Sequence, residues 1–111
     1  LDVRLSRNSG TQKVDKEGNI ATQGYRIQLF SDNKRNSREE AELRSDVVAG
    51  DMPEIPIYVT YLSPFWRLRV GDYRTYEEAN AQMQVLKKKF PKYSVEMRIV
   101  KDEIVLPLYK E

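Results

Sequence analysis

Residues 24–41 read GYRIQLFSDNKRNSREEA, and residues 65–79 read FWRLRVGDYRTYEEA. Each stretch runs from an aromatic-led apolar alternation into an acidic helix start. Tyr25-Arg26-Ile27-Gln28-Leu29 lines up with Trp66-Arg67-Leu68-Arg69-Val70, and Glu39-Glu40-Ala41-Glu42 lines up with Glu77-Glu78-Ala79-Asn80. Both units read as strand then helix, and a chain that uses such a unit twice points to one layered α+β domain.

Outward from these two stretches, the local signals agree. Ile27 and Leu29 alternate with Arg26, Gln28 and Phe30, the period of two expected of a strand with one buried face. After the polar loop Asp32 to Asn36, Ser37-Arg38-Glu39-Glu40 matches a capping box and predicts a helix to about Ala49, ended by Gly50 with Pro53 beyond. Ile57, Val59 and Tyr61 mark a second strand. Ser63-Pro64 then suits a tight connection into a third, Trp66 to Val70, so these two strands should form a hairpin. Thr75-Tyr76-Glu77-Glu78 is a second capping box, and behind it Tyr76, Ala79, Met83, Leu86 and Phe90 fall three and four apart as an apolar stripe. Pro91 stops this helix, and Lys87, Lys88 and Lys89 occupy its last turn, where cations offset the negative end of the helix dipole. Val95, Met97 and Ile99 read as a fourth strand, and Ile104-Val105-Leu106 as a short edge strand before Pro107.

The order strand, helix, strand, strand, helix, strand predicts a ferredoxin-like, RNA-recognition-like βαββαβ fold: a four-stranded antiparallel sheet with both helices on one face. Residues 1–23 are polar and poorly periodic and read as a tether, the alternative being a short strand or helix in which Leu1, Val3 and Leu5 dock on the domain edge; residues 24–111 form the domain. Strand parity assigns Ile27, Leu29, Ile57, Val59, Tyr61, Leu68, Val70, Val95, Met97 and Ile99 to the helix-covered face. It assigns Arg26, Gln28, Phe30, Tyr58, Thr60, Arg67, Arg69 and Arg98 to the open face, the expected seat of function.

Composition narrows that function. The 111 residues are 40% hydrophobic, enough for one core, and 19 basic against 17 acidic residues leave a net charge of +2, with no strong global pull toward nucleic acid or anionic membrane. With neither His nor Cys, the chain cannot build a Ser-His or Cys-His nucleophile pair or a thiolate or imidazole metal site. Glu39-Glu40 and Glu77-Glu78 are explained by helix capping rather than by a glycosidase carboxylate pair, and no Gly-rich phosphate loop is present. The expectation is a non-enzyme without cofactor or metal. Four arginines with an amide, hydroxyls and aromatics on one face can stack on rings and fork onto carboxylates, as suits a sugar polymer or a single-stranded nucleic acid.

The residues also resemble the SPOR (sporulation-related) domain, a bacterial peptidoglycan-binding module, over about Gly24 to Pro107. Tyr25, Gln28 and Ser31 stand where that family has its first-strand aromatic, glutamine and serine. Trp66, Leu68, Val70, Gly71 and Tyr73, then Glu78-Ala79, resemble its aromatic-x-Val-x-Val-Gly-x-aromatic run and its Glu-Ala. The chain departs from the family where Leu29-Phe30-Ser31 replaces a frequent Gly-Ser-Phe, and no aromatic lies among Met97 to Val100. Runs such as Arg69-Val70-Gly71-Asp72-Tyr73-Arg74-Thr75 are similar to short envelope proteins of Bacteroidetes-type bacteria.

The resemblance implies non-catalytic binding of septal peptidoglycan, preferring glycan strands that lack stem peptides, through the open sheet face. It implies Gln28 and Ser31 as ligand contacts with Trp66 as an aromatic contact. Chemistry adds Phe30 and Tyr58 for sugar faces, Thr60 for N-acetyl groups, and Arg26, Arg67, Arg69 or Arg98 for the lactyl carboxylate. It further implies a periplasmic or envelope location reached by export, membrane attachment only through a removed anchor, and envelope or division proteins as neighbours. The start at Leu1 rather than Met fits a trimmed product. The alternatives are single-stranded RNA binding, against which the third strand lacks the Gly- and Phe-rich run of RNA-recognition motifs, and protein recruitment by strand addition at Ile104 to Leu108.

Overall fold

The computed structural model describes residues 13–14 and 19–107. The expected tether is therefore described only at 13–14 and 19–23, and Leu1, Val3, Leu5 and Leu108 lie outside the described residues. In chain order the elements are β1 (Lys13–Val14), β2 (Asn19–Asp32), α1 (Ser37–Asp51), β3 (Ile57–Leu62), β4 (Phe65–Tyr73), α2 (Tyr76–Lys89), a 3-10 turn (Pro91–Glu96) and β5 (Arg98–Pro107). The four main strands lie antiparallel in the order β3, β4, β2, β5, the ferredoxin-like arrangement, with β1 beside the start of β2. β2 begins at Asn19, five residues before the Gly24 at which the sequence reading starts the domain. β5 is one continuous strand, so Ile104-Val105-Leu106 extends the fourth strand and is not a separate one.

Both helices cover one face of the sheet. Ala41 and Val48 of α1 with Met52 just beyond it, and Met83 and Leu86 of α2 with Phe90 just beyond it, close over Ile27, Leu29, Leu68 and Val70. Leu29 and Leu68 are fully buried, each contributing on the order of 1.5–3 kcal/mol of apolar transfer free energy. Three residues depart from the expected faces. Val95 is 88% exposed because Pro91 starts a 3-10 turn that carries the chain to Glu96, so the fourth strand begins at Arg98. Tyr61 is 53% exposed near the hairpin tip, its ring against Trp66. Phe30, expected on the open face, is buried in the core.

Phe30 turns inward because β2 is bulged. The pairs Gln28↔Arg69 and Phe30↔Leu68 enclose one residue on β2 and none on β4, so Leu29 is the extra residue and both Leu29 and Phe30 enter the core. A second bulge lies in β4, where Tyr25↔Tyr73 and Ile27↔Val70 enclose two residues on β4 against one on β2. Gly71 supplies it with φ +84°, and its N–H donates to the Pro56 carbonyl at 2.9 Å.

The helix starts also differ. Thr75 caps α2 as expected, its Oγ1 accepting the Glu78 N–H at 3.1 Å, while the Glu78 carboxylate accepts from the Arg74 N–H at 3.3 Å. In α1 the expected capping box does not form. Ser37 is the first helical residue, and its hydroxyl donates instead to Asp32 Oδ2 at 2.9 Å, closing the loop between β2 and α1. The hairpin turns on Ser63–Pro64, whose peptide bond is cis.

Candidate functional site

Strand register sets the open face. Arg69 lies between Gln28 of β2 and Tyr58 of β3, Arg67 lies between Ser31 and Thr60, and Arg98 and Val100 of β5 lie opposite Gln28 and Arg26. Gln28 and Ser31 are three residues apart and would point to opposite sides of an unbroken strand. The bulge at Leu29 brings both onto the face of Arg67 and Arg69. The Gly71 bulge acts in the same way on the opposite strand, turning Asp72 out of the core parity and toward Arg26.

Arg26 and Arg69 are held by aspartates on this face. Arg26, only 1% exposed, donates from Nη2 to Asp72 at 2.9 Å, sits 3.5 Å from Asp102, and stacks 3.7 Å from the Tyr58 ring centroid. Its Nε is buried without a hydrogen-bond acceptor among the described residues, a cost that the two ion pairs and the ring contact offset. Tyr58 donates its hydroxyl to the other Asp72 oxygen at 2.7 Å. Arg69 donates from Nη1 to Asp102 at 2.9 Å and from Nε to the Gln28 side-chain oxygen at 2.9 Å. Arg26, Arg69, Asp72 and Asp102 form a charge-balanced layer, of which Arg69 also lines the groove.

In front of that layer runs a groove of about 430 Å³, lined by Gln28, Ser31, Arg67, Arg69 and Arg98 with Leu62, Phe65, Ile99 and Val100. It meets a second cavity of about 550 Å³ at Gln28, Ser31 and Arg98, which continues past Lys34 to Glu96. Arg98 is exposed and has no acidic partner among the described residues. The structure thus gathers Gln28, Ser31, Arg67, Arg69 and Arg98 at one groove. Thr60 is half-buried and paired with Arg67, while Arg26 and Tyr58 lie in the layer behind.

Two expected aromatic contacts do not line the groove of about 430 Å³, although Phe30 lines the second cavity. Phe30 is a core residue, with the Arg44 guanidinium 4.6 Å from its ring centroid. Trp66 shares the parity of Leu68 and Val70 and faces the helices, 5.0 Å from the Tyr61 ring and 5.5 Å from Arg38. The aromatic at the groove is Phe65, 42% exposed, which sequence reasoning missed although its parity with Arg67 and Arg69 was legible. Asp102 was missed too, despite sharing parity with Arg98, whereas Asp72 reaches this face only because of the bulge.

Two titrating groups flank the site. Burial pushes the Tyr73 hydroxyl up to about 12, with the charges of Asp72 and Glu78 adding to it. The Ser37 hydroxyl holds the Asp32 carboxyl below its ordinary value. Among the described residues no cluster of three or more His, Cys, Asp or Glu could hold a metal ion, and no helix is long and apolar enough to cross a membrane.

Comparison with known proteins agrees with this fold. The model of the SPOR domain family matches residues 21–95, about two thirds of the 111-residue chain, spanning both bulged strands and both helices. No curated protein and no solved structure matches. SPOR domains are binding modules rather than catalysts, and they occur in periplasmic and envelope proteins. The chain belongs to the SPOR domain family, the peptidoglycan-binding modules of division and envelope proteins.

Proposed function

We propose that this domain is an exported, non-catalytic receptor for peptidoglycan glycan strands that lack stem peptides, and that the strand lies in the groove of β2, β4 and β5. The observation that carries the reading is the convergence of Gln28, Ser31, Arg67 and Arg98 with the Phe65 ring around one open groove. A sugar face packs on an aromatic ring, N-acetyl groups need amide and hydroxyl partners, and a carboxylate takes a guanidinium fork. Phe65 serves the first, Gln28, Ser31 and Thr60 the second, Arg67 and Arg98 the third. Where a stem peptide is attached the lactyl group is an amide; removing the peptide leaves a carboxylate, which gives the arginines something to discriminate. The groove is shallow, so each contact is weak and retention arises from many sites along one polymer.

The test is cosedimentation of the purified chain with intact sacculi before and after an amidase removes the stem peptides, with single-stranded RNA as competitor. Sedimentation should rise on peptide removal, ignore RNA, and fall about tenfold in Arg98→Ala at unchanged melting temperature, as for loss of one charge-assisted hydrogen bond. RNA competition would instead favour a nucleic-acid face. No sedimentation with either preparation would refute glycan binding.

A further inference from the structure

Gln28 is held in one orientation. Its side-chain oxygen accepts the Arg69 Nε–H at 2.9 Å, and because a guanidinium only donates, the amide cannot be turned over without losing that bond. Arg69 is fixed in turn by Asp102 at 2.9 Å, Asp102 lies 3.5 Å from Arg26, and Arg26 is clamped by Asp72 at 2.9 Å and by the Tyr58 ring. The far end of this chain is the Gly71 bulge, which turns Asp72 to this face. None of Arg26, Tyr58, Asp72 or Asp102 lines either cavity, whereas Gln28 lines both. Among the described residues the Gln28 oxygen is engaged by Arg69, and the NH2 group is the part of the side chain with no such partner.

We propose that the charge-balanced layer of Arg26, Arg69, Asp72 and Asp102 is a positioning device that presents Gln28 as an obligate hydrogen-bond donor, so that Gln28 selects an acceptor oxygen, an acetamido carbonyl or a carboxylate. This rests on the groove being the glycan site. Asp102 and Asp72 are then positioning residues that set affinity without touching the ligand. Arg26 orients rather than reads the ligand, Arg69 lines the groove with its Nε and Nη1 committed to Gln28 and Asp102, and Arg98 on β5 directly opposite Gln28 supplies the cation beside the donor.

Gln28→Glu separates this from a generic polar role. It keeps the size of the side chain and the oxygen facing Arg69, but it replaces the outward NH2 by an oxygen. With amidase-treated sacculi it should lose tenfold or more in binding while melting no lower than the parent. Asp102→Asn should lose binding by a similar factor, yet cost nothing further in the Gln28→Glu background, because both act through one group. Should Asp102→Asn fold poorly, nuclear magnetic resonance of the ligand-free parent serves in its place. There the Arg69 Nε–H should exchange slowly with solvent and lose that protection in Gln28→Ala. Undiminished binding by Gln28→Glu, additive losses in the double variant, or a rapidly exchanging Arg69 Nε–H would each overturn the inference while leaving glycan binding by the parent intact. Failure of the parent itself to sediment would overturn the groove reading and this inference together.

Discussion

The two strand–helix units, β2 with α1 and β4 with α2, are near copies in sequence and use their bulges for opposite ends. In β2 the extra residue at Leu29 draws Phe30 into the core and frees Ser31 to join Gln28 on the open face. In β4 the extra residue at Gly71 draws Asp72 out of the core parity and onto the open face beside Arg26. One bulge adds to the apolar layer and to the groove, and the other adds only to the charge layer behind the groove. The helix starts diverge in the same way: Thr75 caps its own helix, whereas Ser37 ties α1 back to the last residue of β2. Similar sequence thus builds the scaffold twice, and one-residue irregularities divide the labour between the copies.

The comparison is broken most severely at Phe30. Phe30→Ala should cost about 3–5 kcal/mol in a denaturant melt, as for removal of a buried ring. Any loss of sedimentation with sacculi should disappear at temperatures where the variant is fully folded. A variant that melts like the parent but no longer binds would return Phe30 to the ligand face.

Next in size is Gly71→Ala. A Cβ there would press on the Tyr73 ring, and the left-handed backbone penalises a side chain, so a loss of about 1–3 kcal/mol is expected. Because the bulge carries Asp72, binding should fall along with stability. Stability lost with binding fully kept in the folded fraction would separate the bulge from the charge layer.

The smallest expected effects are at the helix starts. Thr75→Ala should cost about 1 kcal/mol, the usual value of a lost cap. Ser37→Ala should show itself as a rise of the Asp32 titration toward the ordinary 3.8, followed by carboxyl resonances. The sign follows from the lowered value: the Ser37 contact adds stability above pH 3.8, and that contribution disappears as the pH falls through the folded-state value. An Asp32 titration unchanged by Ser37→Ala would mean that the two helix starts differ less than their hydrogen bonds indicate.

The fold was legible because it depends on period and punctuation. Alternation in Ile27, Leu29, Leu68 and Val70, the Thr75 cap and the Pro91 stop each state a local preference that the tertiary structure keeps. What parity cannot see is a change of parity. Leu29-Phe30 carries no glycine or other mark of a bulge, so Phe30 read as open-face. Gly71 did carry such a mark, yet its effect is on the neighbouring Asp72 rather than on itself. Pro91 signalled a stop, but not that a 3-10 turn would follow and leave Val95 in solvent. Of the candidate site, parity placed Gln28, Arg67, Arg69 and Arg98 on the open face, whereas Ser31 was named only through the family resemblance and reaches that face through the bulge. The division of the arginines into readers and braces was not, since it depends on aspartates brought in from β4 and β5.

That division has a consequence for ionic strength. Four arginines would give this face a field that reaches past the Debye length of about 8–10 Å at ordinary salt and attracts any polyanion. With Asp72 and Asp102 set among them, half of that charge is cancelled within a few ångströms. Nucleic-acid binding weakens by orders of magnitude as salt rises through the physiological range, because it is driven by counterion release. A face half neutralised from within should lose less of its grip on an anionic polymer as salt rises than the same face would with all four charges unopposed.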